Sequence, residues 1–182
     1  MKHVLVVGGT GMLADVVSWY ANQSNYVSVI AREEEKVKRI KHSTKQQKHI
    51  YPIYVNYRQI EKLEEQLKTA ILMLGLIQQV VAWVRSDAKE TLKSIIKVVT
   101  DQLSDWQLFH IINSSADSER IKDYLYVPAN CQYRQIQLGF KVVSNYSRWL
   151  TNQEISQGVI EGIQQERNTM LHIVGQVEPS DK

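Results

Sequence analysis

The sequence predicts an α/β protein: a single domain built on a doubly wound parallel sheet with helices on both faces. Three observations predict it. Short apolar runs alternate along the chain with stretches of helical spacing, the βαβ pattern. The first run, Val4 to Val7, is apolar at every position, as strands buried on both faces are. A length of 182 residues suits one domain with a substantial core.

The elements follow in order. After Val4 to Val7 comes a glycine turn. A helix from about Gly11 to Asn22 carries Met12, Leu13, Val16, Val17 and Tyr20 at helical spacing. Tyr26 to Ala31 is the second strand, and Glu33 to Lys48 reads as a helix and then a loop. His49 to Val55 is the third strand. Pro52 cannot donate to a ladder, which places this strand at a sheet edge, where the 3-2-1-4-5-6 order also puts it. Tyr57 to Leu74 is a helix with Ile60, Leu63, Leu67, Ile71 and Leu74 on one face. Gln79 to Val84 is strand four. Asp87-x-x-Glu90 has the form of a capping box ahead of Leu92, Ile95, Ile96, Val99 and Leu103. Gln107 to Ile112 is strand five, ending in Asn113-Ser114-Ser115. Ala116 to Asn130 is polar, with room for a short helix at most. Tyr133 to Val143 reads as strand six, with Gln135 and Gln137 alternating against Ile136 and Leu138. Thr151-x-x-Glu154 is a second capping-box candidate, Met170 to Val174 a last strand, and 176–182 a tail behind a domain of residues 1–175.

The glycine turn carries the chemistry. Gly9-x-Gly11-x-x-Ala14 fits the dinucleotide fingerprint, with alanine in its last place. Glycine permits the tight turn and close approach of the backbone to a pyrophosphate. Ala14 is small enough for the helix to lie near the strand, and the helix N-terminus turns free N–H groups to the anion. The alternative is a tight turn that binds nothing. Together, fingerprint and strand order predict a Rossmann-like domain. Arg32, at the end of the second strand, bears on the choice of cofactor. An acid near this position accepts bonds from the ribose 2′-hydroxyl of NAD, whereas an arginine suits a 2′-phosphate by charge and by its forked donors. Glu33, Glu34 and Glu35 follow at once, and a solvated helix start accounts for them equally. The reading is NADP, with NAD as the alternative.

Composition excludes several classes. A net charge of +3 is too small to imply nucleic acid. The longest apolar stretch, Ala70 to Val84, is interrupted by Gly75, Gln78 and Gln79 and is too short to span a membrane. A single cysteine, Cys131, rules out an internal disulfide, fits a reducing compartment and has no identifiable base partner. A cytoplasmic protein is the expectation. His3, His42, His49, His110 and His172 are scattered without metal-ligand spacing, and His110 and His172, within strands, read as satisfied core residues. No Gly-x-x-x-x-Gly-Lys-Ser/Thr occurs. Lys36, Lys38, Arg39, Lys41, Lys45 and Lys48 read first as a solvated face, then as reinforcement of a 2′-phosphate site, and only remotely as an RNA contact.

The run Val6-Val7-Gly8-Gly9-Thr10-Gly11-Met12-Leu13-Ala14 resembles the opening of the short-chain dehydrogenase/reductase family. It is nearer to the atypical and extended members (Gly8, Gly11 and Ala14 in their Gly-x-x-Gly-x-x-Gly) than to the typical ones. Ile30-Ala31-Arg32 resembles the NADP-preferring members. The resemblance implies cofactor contacts from Gly8, Gly9, Thr10, Gly11, Met12, Leu13 and Arg32. Asn56 stands where relatives bond the adenine amino group, or is an ordinary helix cap. Ala82 and Trp83 stand where typical members have Asn-Asn-Ala-Gly; Trp83 walls the cofactor cleft or packs in the core. Ser115 matches the serine that bonds a substrate carbonyl, or belongs to a plain turn. The family's Tyr-x-x-x-Lys pair is absent from all 182 residues. Tyr126 lies near the expected distance from Ser115, with Asn130 in the lysine position and Pro128 between them. Lys122 and Tyr124 are nearby substitutes at the wrong spacing. Two readings follow: an NADP(H)-dependent oxidoreductase acting on an unknown carbonyl or alcohol, with Ser115 and Tyr126 catalytic, and a non-catalytic NAD(P)-binding module or redox sensor. The expected partners are the dinucleotide, an unknown small molecule and a second copy in a homo-oligomer, with no nucleic acid and no membrane.

Overall fold

The computed structural model describes residues 1–144, 146–165 and 169–177. Seven strands form one parallel sheet: β1 (His3–Val7), β2 (Tyr26–Ala31), β3 (Ile50–Tyr54), β4 (Ile77–Trp83), β5 (Trp106–Ile112), β6 (Cys131–Leu138) and β9 (Leu171–Val174). Their order is β3-β2-β1-β4-β5-β6-β9, every pair parallel. Strand β3 is an edge, as Pro52 requires. The chain reverses direction across the sheet between β1 and β4, the switch point where open α/β sheets take their ligands.

Every residue of β1 is buried, because both faces of the sheet are covered. Val4 and Val6 pack with α1 (Ala14–Asn22), α2 (Glu34–Ser43) and α6 (Asn152–Gln164). Leu5 and Val7 point the other way, to α3 (Ile60–Leu74), α4 (Lys89–Thr100) and α5 (Ser118–Leu125). That alternation is the period of two along a strand. At about 25 cal/mol per Å² of apolar surface, two such cores supply the main stabilisation of the sheet.

Several boundaries differ from the sequence expectation, each for a local reason. Helix α1 begins at Ala14 rather than Gly11, because residues 8–14 form tight turns closed by Gly11 N–H to Gly8 O (3.3 Å) and Ala14 N–H to Gly11 O (3.1 Å). Helix α3 begins at Ile60 rather than Tyr57, since Asn56 closes a turn by accepting the Arg58 N–H at 3.1 Å. The Asp87-x-x-Glu90 capping box does not form: Asp87 pairs with Arg58 at 2.8 Å, Glu90 accepts from Tyr124, and Ala88 caps α4 without a side chain. The second capping box does form, Thr151 Oγ1 accepting from Glu154 N and Glu154 from Thr151 N.

Strand six does not run to Val143. It stops at Leu138, where Gly139 N–H donates to Val174 O at 2.8 Å and Phe140 bridges antiparallel to Gln176. The chain then leaves the sheet as a hairpin of β7 (Phe140–Val143) and β8 (Tyr146–Trp149). Arg148 and Lys141 pin that hairpin to α6 through Glu154, at 2.8 and 2.6 Å. Gln176 and Val177 of the expected tail are among the described residues, and 178–182 lie outside them.

Candidate functional site

The glycine turn sits at the C-terminal end of the central strand, beside β4. Its glycines do different jobs. Gly8 has φ +85, a conformation costly for other residues, and a Cβ there would meet Trp83 O at 3.3 Å. A Cβ on Gly9 would meet Val17 Cγ2 at 2.8 Å and Val6 and Val29 Cγ1 at 3.0 Å, so Gly9 lets the helix lie on the strand. A Cβ on Gly11 would meet nothing within 4 Å, so the space above it is free for another molecule. Among the described residues, none accepts a hydrogen bond from the amides of Thr10, Met12 or Leu13. The Leu13 side chain is wholly buried, and Met12 packs on the core with its carbonyl accepting from Ser156 Oγ at 2.7 Å. Leu13 can offer a ligand its backbone only, whereas Met12 is half-buried. Ala82, buried in β4 against Val7, is like Leu13 in this.

Arg32 is exposed at the end of β2, and among the described residues it forms no ion pair. The three glutamates that follow are engaged within α2: Glu33 with Lys36 at 2.7 Å, Glu34 and Glu35 with Lys38 at 3.2 and 3.0 Å. The hydrogen bond from Lys36 is the main cause that lowers the pKa of Glu33 below the usual carboxylate value. Asn56 is exposed after β3 with its side-chain Oδ1 committed to Arg58 N–H, and the α3 N-cap is Gln59 instead.

A cavity of about 590 Å³ opens at the C-terminal ends of β4 and β5, between α4 and α5. Trp83 lines it and also abuts Gly8, so cavity and glycine turn meet at this residue. Helix α5 is only 8 residues long, and the polar connection that carries it leaves the sheet face open here. Ser115 lines the cavity. Gln137 holds Ser115's loop from below: its Nε2 donates to Ser114 O at 2.9 Å, with Asn113 O and Ala116 O at 3.3 Å.

The structure does not bring Tyr126 to Ser115. Tyr126 is the C-cap of α5, left-handed at φ 48 and 83% exposed, outside the cavity lining. The tyrosine in the lining is Tyr124. Its hydroxyl donates to Glu90 Oε1 at 2.7 Å, and Lys93 Nζ stands 3.7 Å from its ring centroid. That hydroxyl is the main cause holding the Glu90 carboxyl below its ordinary range. His110, expected in the core, is buried but also lines the cavity, with Nδ1 2.9 Å from Tyr133 Oη. Burial lowers its pKa to about 4, so it is neutral at pH 7. Sequence reasoning missed His110 because a histidine in an apolar strand looks the same whether or not a cavity lies beyond it. Cys131 behaves as expected of a buried thiol, pushed up to about 12 by burial. No cluster of metal-ligating side chains occurs among the described residues, and no helix among them is long and apolar enough to cross a membrane.

No family model matches the sequence, and no curated protein is detectably similar to it. Solved structures are similar over nearly the whole chain. An alcohol dehydrogenase from the archaeon Thermococcus sibiricus, complexed with 5-hydroxy-NADP, superposes with a TM-score of 0.71 at 12% identity, covering 100% of both chains. Serine dehydrogenase from Escherichia coli gives 0.69 at 16% identity, over 96% of this chain and 97% of that one. A short-chain dehydrogenase/reductase from Serratia marcescens gives 0.71 at 12% identity, over 96% and 97%. At these identities the likeness is one of fold, and the chain has the fold of the short-chain dehydrogenases and reductases.

Proposed function

We propose that the protein is an NADP(H)-dependent oxidoreductase of short-chain dehydrogenase type, acting on a carbonyl or alcohol. The observation that carries this reading is the glycine turn at the switch point, with open space over Gly11 and the backbone amides of Thr10, Met12 and Leu13 without acceptors among the described residues. The pyrophosphate would rest on Gly8, Gly9, Thr10, Gly11, Met12 and Leu13, the last through its backbone alone. Arg32 would hold a 2′-phosphate, since lysines of α2 already neutralise the acids beside it. The Asn56 amide nitrogen, without a partner among the described residues, would bond the adenine end, and the Ala82 backbone and the Trp83 ring would border the cleft.

When bound, the cofactor supplies or accepts a hydride. The chain must then bind the substrate oxygen and move one proton to or from it. Ser115, its loop fixed by Gln137, is the group that would hold that oxygen. Tyr124, which lines the cavity, takes the place of Tyr126 as the candidate phenol, and Glu90 at 2.7 Å is where its proton is directed. A specific observation favours the second reading, a cofactor-binding module without turnover: the Tyr124 proton points at a carboxylate, with no lysine one helical turn along.

The test is a pair of measurements on the purified protein. Fluorescence titration with NADPH and NADH is expected to give binding of both, NADPH tighter. NADPH consumption over a panel of aldehydes and ketones is expected to be slow and to fall in Ser115→Ala. No binding of either dinucleotide overturns both readings; binding without any turnover leaves the second.

A further inference from the structure

Polar side chains inside a parallel sheet are normally paired. Strands β5 and β6 hold His110, Tyr133 and Gln135 together, all buried, with His110 opposite Gln135 in the register. Their protons can be followed from one fixed point. The Ser118 carbonyl only accepts, so the Gln135 atom 2.9 Å from it is the amide nitrogen. The amide oxygen of Gln135 accepts from Ser118 Oγ. The second N–H of Gln135 goes to the Tyr133 hydroxyl oxygen, also at 2.9 Å. Gln135 can only donate to that oxygen, so among the described residues the acceptor left for the buried Tyr133 proton is His110 Nδ1 at 2.9 Å. Nδ1 is then an acceptor, and the single proton of the neutral ring sits on Nε2. With Nδ1 turned to Tyr133, Nε2–H is the polar edge of the ring left to the cavity that His110 lines.

The rim adds charge. Arg85, Lys89 and Arg120 line the cavity, against one acid, Asp117. Asp117 is already used as the α5 cap, accepting Arg120 N–H at 3.0 Å. Arg85 faces Asp87 at 3.4 Å, outside the lining. Lys89 leans over the Tyr124 ring at 5.2 Å, and Arg120 has no ion pair among the described residues.

We propose that His110 is a fixed hydrogen-bond donor inside the cavity, and that with Lys89 and Arg120 at the rim it makes the cavity a site for a small carbonyl compound bearing an anionic group. The donor accepts no proton near pH 7, so it binds a carbonyl oxygen without competing as a base. Its direction is set three groups away, by the Ser118 carbonyl, which cannot reverse. The substrate class rests on the oxidoreductase reading above; the donor does not.

The test separates the two. Side-chain ¹⁵N NMR of the histidines, on the protein without cofactor between pH 5.5 and 8, reads the protonation of His110 directly. The expected result is a neutral ring with its proton on Nε2 throughout. In Tyr133→Phe a mixture of tautomers is expected. A wild-type His110 that titrates in this range, or carries its proton on Nδ1, overturns the donor. The probes for the cavity are 2-oxobutanoate and its neutral relative 2-butanone. The oxo acid is expected to shift the Nε2–H signal, and the ketone to bind roughly tenfold more weakly, the worth of one charge-assisted hydrogen bond. Lys89→Gln with Arg120→Gln is expected to erase that difference. No shift with either probe overturns the site, and equal affinities overturn its anion preference. NADPH titration of the same samples reports separately on the oxidoreductase reading: absence of cofactor binding sinks that reading and leaves the NMR result to stand or fall on its own.

Discussion

The glycine turn and the α4–α5 cavity meet at Trp83 yet are built in opposite ways. The turn is backbone chemistry from consecutive residues: what matters at Gly8, Gly9 and Gly11 is a side chain that is not there. The cavity is side-chain chemistry gathered from β4, β5, α4 and α5, residues that lie far apart in the chain. A backbone device depends on every local dihedral, so a single added carbon breaks it. A gathered site depends on register and packing, and single changes alter its protons and charges while the walls stand. The substitutions below press on that contrast.

The largest effects belong to the turn, and there two neighbouring glycines should fail differently. Gly9→Val drives carbon into Val6, Val17 and Val29, all fully buried, and should cost about 1–3 kcal/mol or more of stability by overpacking. Gly11→Val has room for its side chain in the free protein and should unfold at the same urea concentration as wild type. Its NADPH affinity should fall more than about a hundredfold, since several charge-assisted bonds to the pyrophosphate are blocked together. Urea titration and cofactor fluorescence on both variants separate the two roles. A Gly11→Val protein that binds normally would remove the turn from the site.

In the cavity the largest handle is a proton. His110 has a folded pKa of about 4 against an ordinary 6.5. Between those values the unfolded chain takes up a proton that the folded chain refuses, so stability rises with pH through this window and is flat above it. His110 alone should remove about 3 kcal/mol between pH 6.5 and 4, at 1.36 kcal/mol per pKa unit. His3 and His172 are also lowered by burial, so the measurement is the difference in urea stability between wild type and His110→Gln at each pH. Identical slopes would mean that His110 is solvated after all.

Arg32 tests the turn side again with a smaller change. Exchanging it for aspartate should weaken NADPH by about 1.5–3 kcal/mol, the range for hydrogen bonds to a charged group, and leave NADH nearly unaffected. Calorimetric titration of both dinucleotides into Arg32→Asp checks this. An equal loss for the two cofactors would place Arg32 on a phosphate they share.

The same contrast governs what could be read from the residues alone. The sheet order, the edge position of β3 and the glycine turn were legible because each leaves a mark in consecutive residues: an apolar run, a proline, a glycine spacing. The end of strand six was not, because Phe140 continues an apolar pattern and only the Gly139–Val174 and Phe140–Gln176 bonds turn the chain out of the sheet. Gln135 and Gln137 alternate with Ile136 and Leu138 as if one face met water. Both are buried, one orienting Tyr133 and the other holding the Ser115 loop. Asp87 and Glu90 have the spacing of a capping box, but better partners in Arg58 and Tyr124 were invisible at distances of 29 and 34 residues. Short-range rules describe the turn well and the cavity poorly because only the turn is short-range.

The smallest expected effect is the one that distinguishes the two tyrosines. Tyr126 closes α5 in the left-handed region at φ 48, where the helix ends and the side chain swings outward. At 83% exposure its ring has little packing to lose, and no hydroxyl partner holds it among the described residues. Tyr126→Phe should therefore stay within about 0.5 kcal/mol of wild type, as surface substitutions do, with unchanged NADPH consumption. Tyr124 differs by two positions and by everything around it: its ring lies beneath Lys93, and its hydroxyl is the chief group depressing the Glu90 carboxyl. Tyr124→Phe should return that carboxyl toward its ordinary range, a shift readable by ¹³C NMR of the carboxyl through an acid titration. Any turnover present in the wild type should fall in Tyr124→Phe and not in Tyr126→Phe. The opposite ranking would mean that α5 rearranges on binding to carry Tyr126 inward, and the cavity would then have to be redrawn around a longer helix.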